Sequence, residues 1–268
     1  TQMMVSSTTA RFATMSQAAD SLAAAVRWLR ELQFKALEQR QAEREQLRLL
    51  VELLNDDLMP NQLRVERVDS DGLWLSDRNG IELAWTEMSD GYRAMLALLV
   101  DIIHHLIEAY TIKDLTARDS EGKLYITRSG VVLIDEVDAH LHPEWQREIG
   151  FWLKRRFPNI QFIVTTHSPI ICQAADPNGL FVLPEPGSDE QPRALDKAEY
   201  NTVIVSRPDT ILLTPAFGLQ NTRSPEAVDA RSEYARLQSK QRATGKLSNA
   251  EQERITELEI FALNDEEL

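Results

Sequence analysis

The stretch GVVLIDEVDAHLHPEW, residues 130–145, runs four apolar residues straight into two adjacent carboxylates, Asp135 and Glu136. A strand with that ending has a use in nucleotide hydrolysis. At the carboxyl edge of a sheet an aspartate can hold a hydrated Mg2+, and the next carboxylate can orient or deprotonate an attacking water. Acidic residues commonly end strands, so the pair alone does not decide the matter. Two further stretches bear on it. EMSDGYRAML places Ser89, Asp90 and Gly91 where a helix opens, so free backbone N–H groups and the positive end of the helix dipole face phosphate oxygens. The same residues also suit a plain N-cap and turn. FIVTTHSP sets His167 just after a second strand, within reach of a γ-phosphate, although loop histidines more often hydrogen-bond locally.

Taken in order, these pieces resemble the second half of an ABC-type ATPase domain. MSDGYR is similar to the signature motif, with Asp90 and Tyr92 departing from the commoner glycine and glutamine. VVLIDE resembles Walker B, VDAHLHP the loop that crosses to a partner subunit, and His167 the switch histidine. The spelling of SDGYR, DEVDAHLHP and TTHSP is nearer to the RecF-like and OLD-like (AAA_21-like) branch than to membrane transporters. Within that branch it is similar to the ATPase subunits of Septu-type anti-phage defence systems, including those attached to retrons, over residues 11–263.

The resemblance implies a composite site with ATP and Mg2+ as cofactors, closed between two facing heads. Asp135 would serve the metal, Glu136 activate water, His167 sense the γ-phosphate and Asp138 lie at the crossing loop. Ser89 and Gly91, with Asp90 in the same turn, would bind phosphate across the dimer, and Arg93 would orient that segment. A head-to-head homodimer or higher oligomer is implied, with an HNH-type nuclease as the partner that the ATPase gates or scaffolds. Nucleic acid would be met locally or through the partner. Two alternatives stand beside this reading: a non-hydrolysing scaffold kept for dimerisation, and a DNA-repair ATPase of the RecF or SMC type.

One half of such a site is missing. No Gly-x-x-x-x-Gly-Lys-Ser/Thr occurs; SEGKLY and ATGKLS each lack the upstream glycine and put leucine where the metal-binding hydroxyl belongs. The expectation is that a Walker A segment lies ahead of these residues or on another chain, and that the chain as given binds ATP poorly.

The elements that must position these residues follow from periodicity. From Ser16, with Ser16 or Asp20 as cap, Leu22, Val26, Leu29 and Leu32 share a helical face; the polar EQRQAEREQ then precedes LRLLVELL, which predicts a protruding helix or helical hairpin stopped by MPN at 59–61. LRVERVDSDGLWLSDRNGIELAW predicts a small antiparallel meander with turns at DSDG and RNG. Tyr92, Met95, Leu96, Leu99, Ile102, Ile103 and Leu106 predict a deeply buried helix. VVLI, PEWQREIGFWLKRRF and QFIVTT read as strand, helix, strand in a parallel sheet, with LFVL and NTVIV as further strands. SPEA at 224 and SNAE at 248 start two helices. The fold expected is α/β: the carboxy-terminal part of an ABC ATPase head, a parallel-sheet core with helices, plus a helical insertion and the meander. The expected domains are 1–60 as helical arm, 61–215 as ATPase core and 216–268 as helical extension.

Composition narrows the class. With 29 basic against 42 acidic side chains, a formal charge of -13 excludes a generally basic nucleic-acid-coating surface. A single cysteine, Cys172, permits no intrachain disulfide, and no apolar run approaches the roughly 20 residues of a bilayer span, so a cytoplasmic chain with no membrane contact is expected. His104, His105, His140 and His142 read as structural, and the five tryptophans as core and interface. KRRF at 154–157 is a basic cluster suited to a helix end or a phosphate.

Overall fold

The computed structural model describes residues 18–56, 62–110, 112–139 and 141–262. The chain divides into two compact units, residues 1–205 and 206–268.

In the first unit, α1 (Ala18–Leu37) and α2 (Gln41–Leu54) form the expected hairpin, its turn made by Gln39 in the left-handed region at φ 63°. Val26, Leu29 and Leu32 are buried on one side of α1, and Leu49, Leu50, Leu53 and Leu54 on α2. Asp20 lies inside α1 rather than at its cap, while Ser16 and the MPN stop lie outside the described residues. The arm is tied to the next element by one amide. Asn55, just past α2, donates Nδ2 to the Val65 carbonyl (3.0 Å) and accepts from the Val65 N–H (2.7 Å), pairing a residue's two backbone groups as a neighbouring strand would.

Val65 belongs to β1 (Arg64–Asp69), which pairs antiparallel with β2 (Gly72–Ser76), and β2 with β3 (Glu82–Ala84): the predicted meander. Gly72 at the first turn has φ 122°, and a Cβ there would meet the Trp85 indole at 3.0 Å, so both conformation and space require glycine. The buried helix follows as α3 (Asp90–Ala109), with Met95, Leu99, Val100 and Ile103 almost fully inaccessible in the main core. His104 on α3 stacks on Trp28 of α1 at 4.4 Å.

A short hairpin, β4 (Thr116–Arg118) with β5 (Leu124–Ile126), leads to β6 (Gly130–Ile134). Helix α4 (Pro143–Arg156) then crosses to β7 (Ile160–Val164), which runs parallel to β6 in the register Ile134↔Val164. The predicted strand–helix–strand unit is present. Its inner face, Val132, Ile134 and Phe162, joins the core. The outer face is open: Val131, Leu133 and Ile163 are 61%, 41% and 51% exposed, whereas parallel strands normally have both faces covered.

Beyond α5 (Pro169–Cys172), the two further strands expected from apolar runs do not extend this sheet. LFVL yields only β8 (Phe181–Val182), paired antiparallel with β9 (Arg193–Ala194). NTVIV is the end of a helix, α6 (Lys197–Val205). The cause is a capping box: Asp196 Oδ1 accepts from the Ala198 and Glu199 N–H groups (2.7 and 2.9 Å) while Glu199 accepts from the Asp196 N–H (3.0 Å). That reciprocal cap, spelled Asp-Lys-Ala-Glu, overrides the β preference of the valines and isoleucine.

Of the basic cluster ending α4, Lys154 and Arg155 are exposed and Arg156 turns inward. Arg156 is buried and sets Nε 2.5 Å from Asp56 Oδ2 at the foot of the arm, with Asp119 at 3.7 Å, while Lys123 reaches Asp56 Oδ1 at 2.9 Å. Trp152 donates Nε1 to the Asp56 carbonyl (3.0 Å), and Lys154 pairs with Asp176 at 2.5 Å.

The second unit contains α7 (Pro208–Leu212), α8 (Pro225–Thr244) and α9 (Asn249–Ala262), the last two packed through Ala230, Leu237 and Leu258. Both predicted helix starts are made: Ser224 accepts from the Ala227 N–H (3.2 Å) ahead of Pro225, and Ser248 with Glu251 closes a capping box. Lys240 and that box hold the Glu251 carboxyl down to about 2.

Removing one partner of a buried ion pair costs about 3–5 kcal/mol, because the other charge is left uncompensated. Lys123 stays beside Asp56, so Arg156→Leu is expected to cost somewhat less, about 2 kcal/mol, read as a lower urea midpoint at unchanged slope. Burial holds His104 below its ordinary value, with Glu108, His105, Asp101 and Glu31 contributing smaller effects of both signs. The unfolded chain therefore takes up a proton near about pH 6.5 that the folded chain resists, and stability present above that pH is lost as pH falls below it. His104→Phe, which keeps a ring on Trp28, should flatten the fall in Tm between about pH 7.5 and about pH 5.5.

Candidate nucleotide site at the end of a parallel strand pair

The register of β6 and β7 decides what meets at their carboxyl ends. With Ile134 opposite Val164, the next residues, Asp135 and Thr165, are opposite one another. The Thr165 N–H donates to the Ile134 carbonyl (3.0 Å), and the Val137 N–H donates to the Thr165 carbonyl (3.0 Å), so the pairing continues past the strand ends. Between those two bonds lies Glu136, whose φ of 48° is in the left-handed region, a conformation a residue with a Cβ adopts only when its surroundings enforce it. The Thr165 hydroxyl supplies part of that enforcement. It accepts from the Glu136 N–H (2.7 Å) and donates to Asp135 Oδ1 (2.5 Å).

The neighbouring threonine acts on the next carboxylate. Thr166 Oγ1 donates to Asp138 Oδ1 at 2.5 Å, and the His167 N–H donates to the same oxygen at 3.2 Å. Ser168 caps α5 and donates its hydroxyl to Gln146 Oε1 (2.7 Å), while Gln146 donates to the Leu141 carbonyl (2.9 Å), fastening α4 to the loop that precedes it. Four predicted residues, Asp135, Glu136, Asp138 and His167, are thus brought together on two adjoining loops. Thr165, Thr166, Gln146 and Ser168, to which the sequence reading assigned no role at the site, hold them there. The pair of hydroxyls directly before His167 is the signal that was available for two of these.

Asp135 and Glu136 are exposed, and among the described residues no lysine or arginine pairs with Asp135, Glu136 or Asp138. No group of three or more histidine, cysteine or acidic residues able to cage a metal occurs among the described residues. Two exposed oxygen ligands fit a hard cation such as Mg2+, which is commonly held by one or two carboxylates together with phosphate oxygens and water.

The Ser89–Arg93 turn forms a separate group. Ser89 occupies the N-cap position of α3, but its side chain makes no capping bond, and both Ser89 and Asp90 are exposed. Asp90 and Arg93 are ion-paired across the first turn. Tyr92 packs edge-on against Trp145 at 4.7 Å, which sets the start of α3 against the start of α4. No hydrogen bond or ion pair joins this turn to Asp135, Glu136 or His167 among the described residues.

The remaining candidates are structural. His142 accepts through Nδ1 from the Glu144 N–H (3.4 Å) at the start of α4, and His140 lies outside the described residues. Gly122–Lys123 lies in the β4–β5 hairpin with its lysine on Asp56, and Gly245, at φ 65°, is the left-handed cap of α8. Cys172, in the last turn of α5, has its thiol raised to about 11, by burial first and then by the Asp138 charge.

Residues 5–173 match the family described as "AAA domain, putative AbiEii toxin, Type IV TA system". The chain is 32% identical over 180 residues to Septu protein PtuA of Bacillus thuringiensis, covering 66% of this chain and 43% of that protein. It is 37% identical over 123 residues to the Retron Ec83 probable ATPase of Escherichia coli, covering 46% of this chain and 21% of that protein. The chain therefore spans less than half the length of either relative. A solved structure described under "Structural biochemistry of ATP-driven dimerization and DNA stimulated activation of SMC ATPases" superposes with a TM-score of 0.43 at 19% identity, over 63% of this chain and 94% of that one. No helix among the described residues is long and apolar enough to cross a membrane.

A thiol held near 11 presents little thiolate at neutral pH. Cys172 should react with iodoacetamide at about pH 7.5 at least about tenfold more slowly than a free thiol, and reach the free rate in urea. Reaction at the free rate in the folded protein contradicts the half-buried placement beside Asp138.

Proposed function

This chain belongs to the AAA domain family that it matches over residues 5–173, and from that premise we propose that it binds ATP with Mg2+ and hydrolyses it in a site shared between two heads. The observation that carries this reading is the meeting of Asp135, Glu136 and His167 at the carboxyl edge of β6 and β7, with Glu136 held in a left-handed turn. Mg2+ would neutralise charge on the β- and γ-phosphates. Asp135 would hold it through the carboxylate oxygen that Thr165 leaves free, while Glu136 would orient the attacking water and accept its proton. His167 sits at the γ-phosphate, and Asp138, fixed by Thr166, shapes the loop that meets the partner head. The Ser89–Gly91 turn, uncapped by any side chain, offers backbone N–H groups to the phosphates of the facing copy, and the Asp90–Arg93 pair steadies that turn.

The phosphate cradle comes from residues other than these 268, because both Gly-Lys pairs in the chain already have structural positions. The open outer face of the β6–β7 pair supports the same view, since a further strand and helix would cover it. The likeness to Septu and retron ATPases supports a place in anti-phage defence, in which nucleotide state gates or scaffolds an HNH-type nuclease partner. The second reading, a non-hydrolysing dimerisation head, is favoured by one observation, the missing Gly-x-x-x-x-Gly-Lys-Ser/Thr.

Glu136→Gln separates the two. In the intact protein the proposal expects ATP turnover to fall about a hundredfold with ATP still bound, the usual scale for losing a general base. A parent protein that binds ATP without turnover selects the scaffold.

A further inference from the structure

We infer that Thr165 is a positioning residue for the Asp135–Glu136 pair, acting through one hydroxyl that serves both of them. The inference rests on the proposed ATPase reading. Thr165 Oγ1 accepts from the Glu136 N–H at 2.7 Å and donates to Asp135 Oδ1 at 2.5 Å. A hydroxyl can accept and donate at once through a single atom, whereas an amide of similar length splits the two functions between two atoms. The bond to Asp135 engages one carboxylate oxygen and leaves the other for a cation. The bond to Glu136 helps hold a backbone that, at φ 48°, returns to an ordinary conformation if released. A released Glu136 moves its carboxylate relative to Asp135, and a base displaced by a fraction of an ångström to an ångström loses much of its effect.

The hydroxyl acts on geometry rather than on folding. Thr165 is exposed, and its N–H and carbonyl bonds to Ile134 and Val137 are backbone bonds that valine retains. Valine also matches threonine in shape and is branched at Cβ, so Thr165→Val removes the hydroxyl with little other change. Serine restores the hydroxyl without the methyl group.

The test compares Thr165→Val, Thr165→Ser and Glu136→Gln with the parent, each in the intact protein. Turnover is measured against ATP and against Mg2+, and amide hydrogen exchange is measured on the peptide containing Glu136. Thr165→Val is expected to lower kcat about tenfold with the KM for ATP within about twofold, and to raise the Mg2+ concentration for half-maximal rate several-fold. It is also expected to speed exchange of the Glu136 amide, with the melting temperature unchanged. Thr165→Ser should return each quantity to within about twofold of the parent. The inference is overturned by a valine variant with parental kcat, or by parental exchange at Glu136. It is overturned equally by a serine variant as impaired as the valine one, which assigns the effect to packing. Turnover that survives Glu136→Gln sinks the assignment of Glu136 as the base that activates water instead. In that case, or with a parent that does not turn over, the exchange comparison alone decides whether Thr165 holds the loop.

Discussion

The candidate site depends on a parallel pairing that continues one residue beyond its strands. Two backbone bonds, Thr165 to Ile134 and Val137 to Thr165, bracket Glu136 and leave it no extended conformation. A left-handed non-glycine residue costs on the order of 1 kcal/mol, and the flanking bonds together with the Thr165 hydroxyl offset it. Strain of that kind is retained where a side chain must be held at an angle the regular strand cannot give. A β-strand continued through Asp135 and Glu136 would send the two carboxylates to opposite faces of the sheet. The turn changes that relation, and the register of β6 against β7 sets where it occurs.

The acidic loop is also connected to the arm. Helix α4 begins beside it, where Gln146 and Ser168 fasten the loop and Trp145 meets Tyr92 of α3. The same helix ends at Arg156, in the buried charge cluster with Asp56 at the foot of the arm. Fourteen residues at 1.5 Å each make a rod of about 21 Å between the two ends. Tyr92 adds the turn at Ser89 to the same rod. The arm, the Ser89 turn and the carboxylates are therefore all joined to one helix.

Much of this was legible in the sequence where local chemistry decides structure. The helical hairpin, the meander, α3, the strand–helix–strand unit and the two capped tail helices all follow from periodicity, turn residues and caps. NTVIV is helical against its β propensity because the Asp196–Glu199 box caps the helix one turn upstream. The reading of KRRF left Arg156 at a helix end or on a phosphate. Its partners Asp56 and Asp119 are 100 and 37 residues away in the chain, and no local pattern announces an ion pair of that separation. Asp135, Glu136 and His167 were identifiable by type and by place after apolar runs. Thr165 was not, because its role comes from the register, which sets it opposite Asp135 rather than opposite its neighbours.

Charge explains why such a site must be completed by other residues. The chain carries a formal -13, and its candidate site presents Asp135, Glu136 and Asp138 with no paired lysine or arginine among the described residues. A bare triphosphate approaching those carboxylates is repelled. A divalent cation removes part of the repulsion, but the remaining phosphate charge needs donors, and Arg93 is already engaged with Asp90. Helix N-termini and a lysine-bearing loop are the usual donors. This chain has a helix N-terminus at Ser89, and no Gly-x-x-x-x-Gly-Lys-Ser/Thr loop occurs in its 268 residues. Under the proposed function another segment would supply the cradle for this negatively charged half-site, and a facing copy would supply the phosphate-binding turn. Nucleotide binding and assembly would then be one event.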